Sequence, residues 1–173
     1  MAGYSTTEDP YQTPIGRLTE SCDSVPPELR VRKVKRLAEA RGPMAAMAVT
    51  DGDIPIGLVM SIHLDRILSH RYGVSLFENR AIRDIMDASP LIVEDDAALE
   101  EVADLAMRRD RRKIYDHVLI TSKGRLTGMV SVQTLLLSLV ESEKERTIEL
   151  VTANRMLQEE IGERKSVEQQ LVQ

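Results

Sequence analysis

The chain has 173 residues, enough for one compact domain or two small ones sharing a core. Hydrophobic residues make up 42% and charged residues 29%, ordinary for a globular protein, while aromatics at 3% leave no stacking surface for single-stranded nucleic acid and require an aliphatic core. The net charge of −5 argues against a nucleic-acid partner, the single Cys22 excludes an internal disulfide or a multi-cysteine metal site, and no apolar run reaches membrane-spanning length, so the expected setting is cytoplasmic.

Residues 1–13 are polar, read as a flexible tail and show no signal-peptide pattern. From 14 to 71 comes a first unit, with an amphipathic helix around Val31 and Val34. After it, MAAMAVTDGDIPIGLVMSIHLDRIL (44–68) reads as an apolar strand, a tight turn, a second apolar strand and an amphipathic helix. From 72 to 140 the pattern returns. Pro90-Leu91-Ile92-Val93 reads as a short strand, and Leu99, Val102, Leu105 and Ala106 recur at helical spacing. Asp95 or Asp96 is placed to cap that helix, and Glu100 and Glu101 suit the positive end of its dipole.

YDHVLITSKGRLTGMVSVQTLLLSL (115–139) lies over 44–68 without a gap, at an offset of 71 that puts Gly57 on Gly128. Carried upstream, that offset places Val31 and Val34 on Val102 and Leu105. The turns, TDGDIP and TSKGRL, carry the Gly, Asp and Ser that tight hairpins need. Each unit is thus strand, helix, strand, strand, helix. A period this long suits duplication of a small domain, and two copies together bury sheet faces that neither could bury alone.

From about Val132 no proline and only Gly162 interrupts a long helical pattern. With Leu136, Leu150, Leu157 and Leu171 at heptad position d, position a holds Val140, Thr147, Asn154, Ile161 and Glu168. Leu150, Asn154, Leu157 and Ile161 form a zipper core, in which Asn at a favours an in-register parallel dimer. Glu143, Arg164 and Glu168 fall on the seam, and Val167 pairs with Leu171, which marks a phase slip near Gly162. Residues 141–173 therefore read as a coiled-coil linker helix. Because the sequence stops at Gln173 in mid-heptad without a capping Gly or Pro, a covalently linked output domain is expected beyond it.

The stretch IRDIMDASPLIVEDDAALEEVADLAMRRDRRKIYDHVLITSKGRLTGMVSVQTLL (82–136) resembles a CBS domain: a helix ending in Met-Asp, a short strand, a capped helix, then two strands around a turn and a final helix. With the first copy aligned on it, residues 14–140 resemble the tandem CBS pair, or Bateman module. The resemblance implies an α/β (α+β) fold of two β-α-β-β-α repeats packed as a pair, followed here by the long coiled-coil helix. SHRYGVSLFENR (69–80) with the following IMDASPL, and LQEEIGERKSVEQQL near the C-terminus, also resemble segments of proteins in which CBS pairs or linkers precede bacterial diguanylate cyclases and sensor kinases.

The resemblance further implies a nucleotide, usually adenosine-based, in the cleft between copies. The family signature is Gly, two apolar residues, Ser or Thr, any two, then Asp or Asn, the acid holding ribose hydroxyls. The second copy reads Gly128-Met129-Val130-Ser131-Val132-Gln133-Thr134, so Ser131 matches and Thr134 replaces the acid. The first reads Gly57-Leu58-Val59-Met60-Ser61-Ile62-His63, with Met60 and His63 at both polar positions. A hydroxyl lacks the charge and second acceptor of a carboxylate, so both half-sites depart from the pattern. In the basic stretch Arg108, Arg109, Arg111, Arg112 and Lys113, arginine could hold a phosphate bidentately, or the stretch is a solvated helix end. Tyr115, Asp116 and His117 either line the cleft or supply polarity where a strand begins, and His63 is a ligand contact or a surface helix histidine. The candidate ligand set is Ser131, Thr134, Leu91, Arg112, Lys113, Tyr115, Asp116, His117, Met60 and His63.

No P-loop, dinucleotide fingerprint, nucleophile elbow or zinc-protease motif is present, and His63, His70 and His117 are scattered. The expected function is regulatory and not enzymatic: a homodimeric sensor needing no cofactor, binding AMP, ADP, ATP or a similar nucleotide, and passing the change through the coiled coil. The competing readings are a CBS-pair dimerisation scaffold that has lost nucleotide binding, an enzyme using His117 and the basic loop on a phosphorylated substrate, and a coiled-coil assembly factor.

Overall fold

Apolar runs on either side of two tight turns form two three-stranded sheets. The computed structural model describes residues 13–171, so the expected tail lies, but for Thr13, outside the described residues. In the first sheet β1 (Asp23–Val25) pairs in parallel with β2 (Ala46–Asp51), and β2 pairs antiparallel with β3 (Ile54–Met60). Helix α1 (Val31–Arg41) makes the parallel crossover; α2 (Ser61–Leu68) and the short α3 (Gly73–Phe77) follow. The second sheet repeats the order with β4 (Ile92–Glu94), α4 (Leu99–Met107), β5 (Val118–Ser122) and β6 (Arg125–Val130). Helix α5 (Val132–Leu171) completes the expected repeat and continues for 40 residues.

The two hairpins close differently. Gly52, at the first central position, has φ +60°, as a type II′ turn requires, whereas Lys123 and Gly124 at φ 52° and 76° give the two positive values of a type I′ turn. Both ladders slip by one residue at equivalent places, between Val49 and Thr50 and between Ile120 and Thr121.

The offset of 71 holds for the hairpins but not for the first helices. Helix α1 buries Val31, Val34 and Ala38, and α4 buries Leu99, Val102, Ala103 and Ala106, an offset of 68 (Val31 on Leu99). Leu105, expected on the apolar face, is 41% exposed. The second copy inserts three residues (71 − 68) between its first helix and the following strand, in the basic loop.

Neither Asp95 nor Asp96 caps α4. Ala98 holds the N-cap without a side-chain bond, and the Leu99 N–H donates to the carbonyl of Thr13 at 3.0 Å. The Val31 N–H likewise donates to Arg80 O at 2.9 Å. Helix starts are satisfied by a crossing chain because each copy's leader segment lies on the other copy. The 3₁₀ turn Ile15–Leu18 donates from Ile15 to Ala97 O, and the turn Ile82–Asp84 donates from Ile82 to Leu29 O, both at 2.8 Å. Glu20 exchanges both backbone bonds with Met129 on β6, and Asp87 does the same with Leu58 on β3.

Ile82 is accordingly buried in the first copy's core among Val31, Val34, Met47, Val49 and Leu64. The crossing needs glycine underneath: a Cβ on Gly57 would run into Met86 Sδ, and one on Gly128 into the Glu20 carbonyl. Between the sheets β3 packs on β6, and Ala48, Leu58, Met60, Leu119 and Met129 form a shared core.

The chain divides into a unit ending at Leu135 and a second from Leu136 onward. In the second, Leu150, Leu157 and Ile161 are exposed, and Arg164 pairs with Glu160 at 2.8 Å along the helix. No helix among the described residues is long and apolar enough to cross a membrane.

Candidate functional site

Where β3 ends and α2 begins, a cavity of about 230 Å³ opens between the copies. Three stretches line it. From β3 and α2 come Leu58, Met60, His63, Leu64 and Arg66; from the crossing leader, Ile85, Met86 and Asp87; from the loop ahead of β5, Arg112, Lys113 and Asp116. The wall is aliphatic and its rim carries both signs of charge.

His63, one turn into α2, places Nε2 2.6 Å from Asp116 Oδ1, joining the first copy to the second. An ionised carboxylate only accepts, so Nε2 carries the proton, and Nδ1 is left to accept from Arg66 Nη2 at 3.4 Å. Asp116 is buried, its side chain 4% exposed. Lys113 Nζ donates to Asp87 Oδ1 at 2.6 Å. The second oxygens, Asp116 Oδ2 and Asp87 Oδ2, are buried and have no partner among the described residues. Arg109 fixes the loop from behind, its Nη2 donating to the Asp116 carbonyl at 2.7 Å and its Nε to the Ala106 carbonyl at 3.0 Å. Burial pulls the Arg109 guanidinium below its usual pKa, against the opposing pull of Asp116 and Asp87.

At the equivalent place in the second copy, Ser131 stands where Met60 stands in the first. Its Oγ accepts from the Thr134 N–H at 3.0 Å, an N-cap for α5, and lies 2.9 Å from Thr134 Oγ1. Thr134 Oγ1 in turn donates to Glu20 Oε1 at 3.4 Å. Glu20 thus holds for this copy the position Asp87 holds for the first. Nearby, His117 has a buried Nδ1 without a partner among the described residues. Burial holds this imidazole below its usual value, and Arg109 adds to that, while Glu20 and Asp116 oppose it.

Of the ten residues singled out in the sequence, Met60, His63, Arg112, Lys113 and Asp116 line this cavity. Ser131 and Thr134 meet Glu20 at the other half. Tyr115 is 74% exposed, and Leu91 lies beside β5, its carbonyl accepting from Leu119 N–H at 2.9 Å; neither lines the cavity. Asp87, Arg66 and Glu20 are not among the residues singled out in the sequence, and Arg109, one of the basic stretch read there as a phosphate holder or a solvated helix end, instead donates to the Ala106 and Asp116 carbonyls. The Met-Asp pair before β4 held the signal for Asp87, but only the exchange of leaders shows which strand it crosses. Among the described residues no group of three or more His, Cys, Asp or Glu could hold a metal ion.

The family model described as the CBS domain matches residues 82–141. No curated protein sequence matches the chain. Among solved structures it is similar to the CBS-pair protein CBSX2 from Arabidopsis thaliana, at 19% identity and a TM-score of 0.61, covering 77% of this chain and 98% of that one. CBSX2 in complex with AMP gives 18%, 0.57, and 75% and 98% coverage. The cytosolic domain of the Mg2+ channel MgtE in complex with ATP gives 22%, 0.55, and 71% of this chain against 47% of that one. At these identities the likeness shows the fold, which is that of CBS-pair structures.

Proposed function

We propose that the chain is a regulatory CBS pair that takes an adenosine-type nucleotide in the cleft between its copies and relays the change through a dimeric α5 to a covalently linked output domain, a diguanylate cyclase or a sensor kinase. The observation that carries this reading is the cavity itself. An apolar wall suits a base, Arg66, Arg112 and Lys113 suit a phosphate, and Asp87 and Asp116 suit hydroxyl or amine donors. The fold is shared with CBSX2 holding AMP and the MgtE cytosolic domain holding ATP, which supports an adenine nucleotide as the first ligand to try. Helix α5 starts two residues after β6 ends, so a ligand that favours one arrangement of the paired sheets moves the first turn of that helix. Only a ligand with different affinity for two arrangements can act this way. The output class rests on the likeness of LQEEIGERKSVEQQL to signalling linkers.

A dimerisation scaffold without a ligand is the second reading. His63 and Thr134 in place of acids favour it, as does a cavity of about 230 Å³ when small-molecule pockets span about 300–1,000 Å³. Thermal unfolding of the protein against AMP, ADP, ATP, GTP, S-adenosylmethionine and cyclic dinucleotides separates the two. The sensor reading expects a concentration-dependent rise for an adenosine nucleotide, about 2.7 kcal/mol of added stability at a hundred times Kd, and its loss when Arg112 and Lys113 are both changed to Ala. A folded, dimeric protein whose unfolding none of these compounds shifts favours the scaffold, or a ligand outside the panel.

A further inference from the structure

Asp116 is a buried carboxylate that its surroundings fix from three sides while leaving one oxygen without a bond among the described residues. His63 holds Oδ1 at 2.6 Å, Arg109 holds the backbone carbonyl at 2.7 Å, and the Asp116 N–H donates to Lys113 O at 3.0 Å. The side chain is 4% exposed, it lines the cavity, and Oδ2 has no donor among the described residues. A buried carboxylate oxygen without a donor is unfavourable, and proteins rarely keep one without a use. An ionised carboxylate has no hydrogen to give, so its complement is an N–H or O–H group.

Resting on the nucleotide reading above, we infer that Asp116 is a specificity-determining residue of the cleft, its Oδ2 accepting a hydrogen bond from an N–H or O–H of the bound nucleotide. His63 is its positioning residue. The acceptor for the first copy's half-site is therefore supplied by the second copy, from the loop ahead of β5 and not from α2. Asp87, held by Lys113 and likewise keeping a buried unpartnered Oδ2 on the same cavity, is available for a second donor. Two donor groups are on offer in an adenosine nucleotide: the ribose diol and the exocyclic amine.

Calorimetric titration of AMP, 2′,3′-dideoxy-AMP and IMP into the wild-type protein and into Asp116→Ala tests this. AMP binding should weaken at least tenfold in Asp116→Ala, and that penalty should vanish for the analogue lacking the donor. Vanishing with the dideoxy compound assigns the ribose hydroxyls, and vanishing with IMP assigns the amine. Asp116→Asn, which keeps the shape and loses the charge, covers a misfolded alanine variant and should show a smaller penalty with the same ligand pattern. His63→Ala should also weaken AMP, and His63→Gln, which retains a donor at that position, should restore most of the affinity. AMP binding that Asp116→Ala leaves unchanged, or weakens equally for all three ligands, overturns the inference while leaving the nucleotide reading intact. A wild-type protein that binds none of the three removes both.

Discussion

Ser131 and Asp116 show what a sequence pattern can and cannot say about one side chain. The Gly-x-x-Ser spacing picks out Ser131, but its hydroxyl caps α5, bound to the Thr134 N–H at 3.0 Å. Asp116 carries no motif, yet it sits at the junction of the two copies with an oxygen that no described residue bonds. Its partner His63 is 53 residues away, a pairing that residue spacing cannot reveal. His117 offers a test at this scale. Burial depresses its pKa in the folded state below the ordinary value of 6.5, while the unfolded chain titrates normally. As pH falls through 6.5 the unfolded state takes up the proton first, so stability present above that pH is lost as pH drops toward the folded value. Denaturant unfolding at pH 7.5 and at lower pH should therefore show a loss on acidification, with a His117 share below about 1.4 kcal/mol per pH unit, the limit for one proton. His117→Gln should flatten that share, and an unchanged slope would mean the imidazole is not held neutral by the fold.

The hairpins were legible as elements because a hairpin is local: turn residues and alternating apolar runs lie within about fifteen residues of each other. The long helix was legible for the same reason, from an unbroken stretch with no proline. Helix registers were not, because three extra residues in the basic loop shift the offset from 71 to 68 without leaving a mark in the apolar spacing. Caps failed for a different reason. Asp95 and Asp96 satisfy every local rule for a helix start, but the Leu99 N–H is satisfied by Thr13 arriving from the far end of the chain. The same exchange explains two glycines that look merely permissive in the sequence. Gly128 lies under the Glu20 backbone, which cannot swing aside as a side chain tip could, because Glu20 holds both of its backbone bonds to Met129. Gly128→Ala should therefore destabilise the protein by about 1–3 kcal/mol, the range for forced overpacking. Gly162→Ala, where a Cβ meets nothing, is the matched control and should be neutral or slightly stabilising. Equal effects at the two positions would show that the leader does not lie on β6.

For the whole molecule the open question is what covers α5. Its 40 residues span about 60 Å at 1.5 Å per residue. Leu150, Leu157 and Ile161 are 65%, 58% and 53% exposed, so this stretch of helix buries little of its own apolar surface. Most helical stability in proteins comes from packing an apolar face, which Leu150, Leu157 and Ile161 do not bury among the described residues. If the zipper pattern read in the sequence holds, the partner would be a second copy in register at Asn154. Dilution should therefore lower the helical circular dichroism signal together with the mass seen in sedimentation equilibrium. Leu157→Glu should produce the monomer at all concentrations and reduce helicity, while the unit ending at Leu135, with its own cores, should keep its thermal transition. The contrary result is equally readable: a monomeric chain whose helicity does not change on dilution would leave α5 without the partner a relay needs, and nucleotide binding in the cleft would then have no route to a paired output domain.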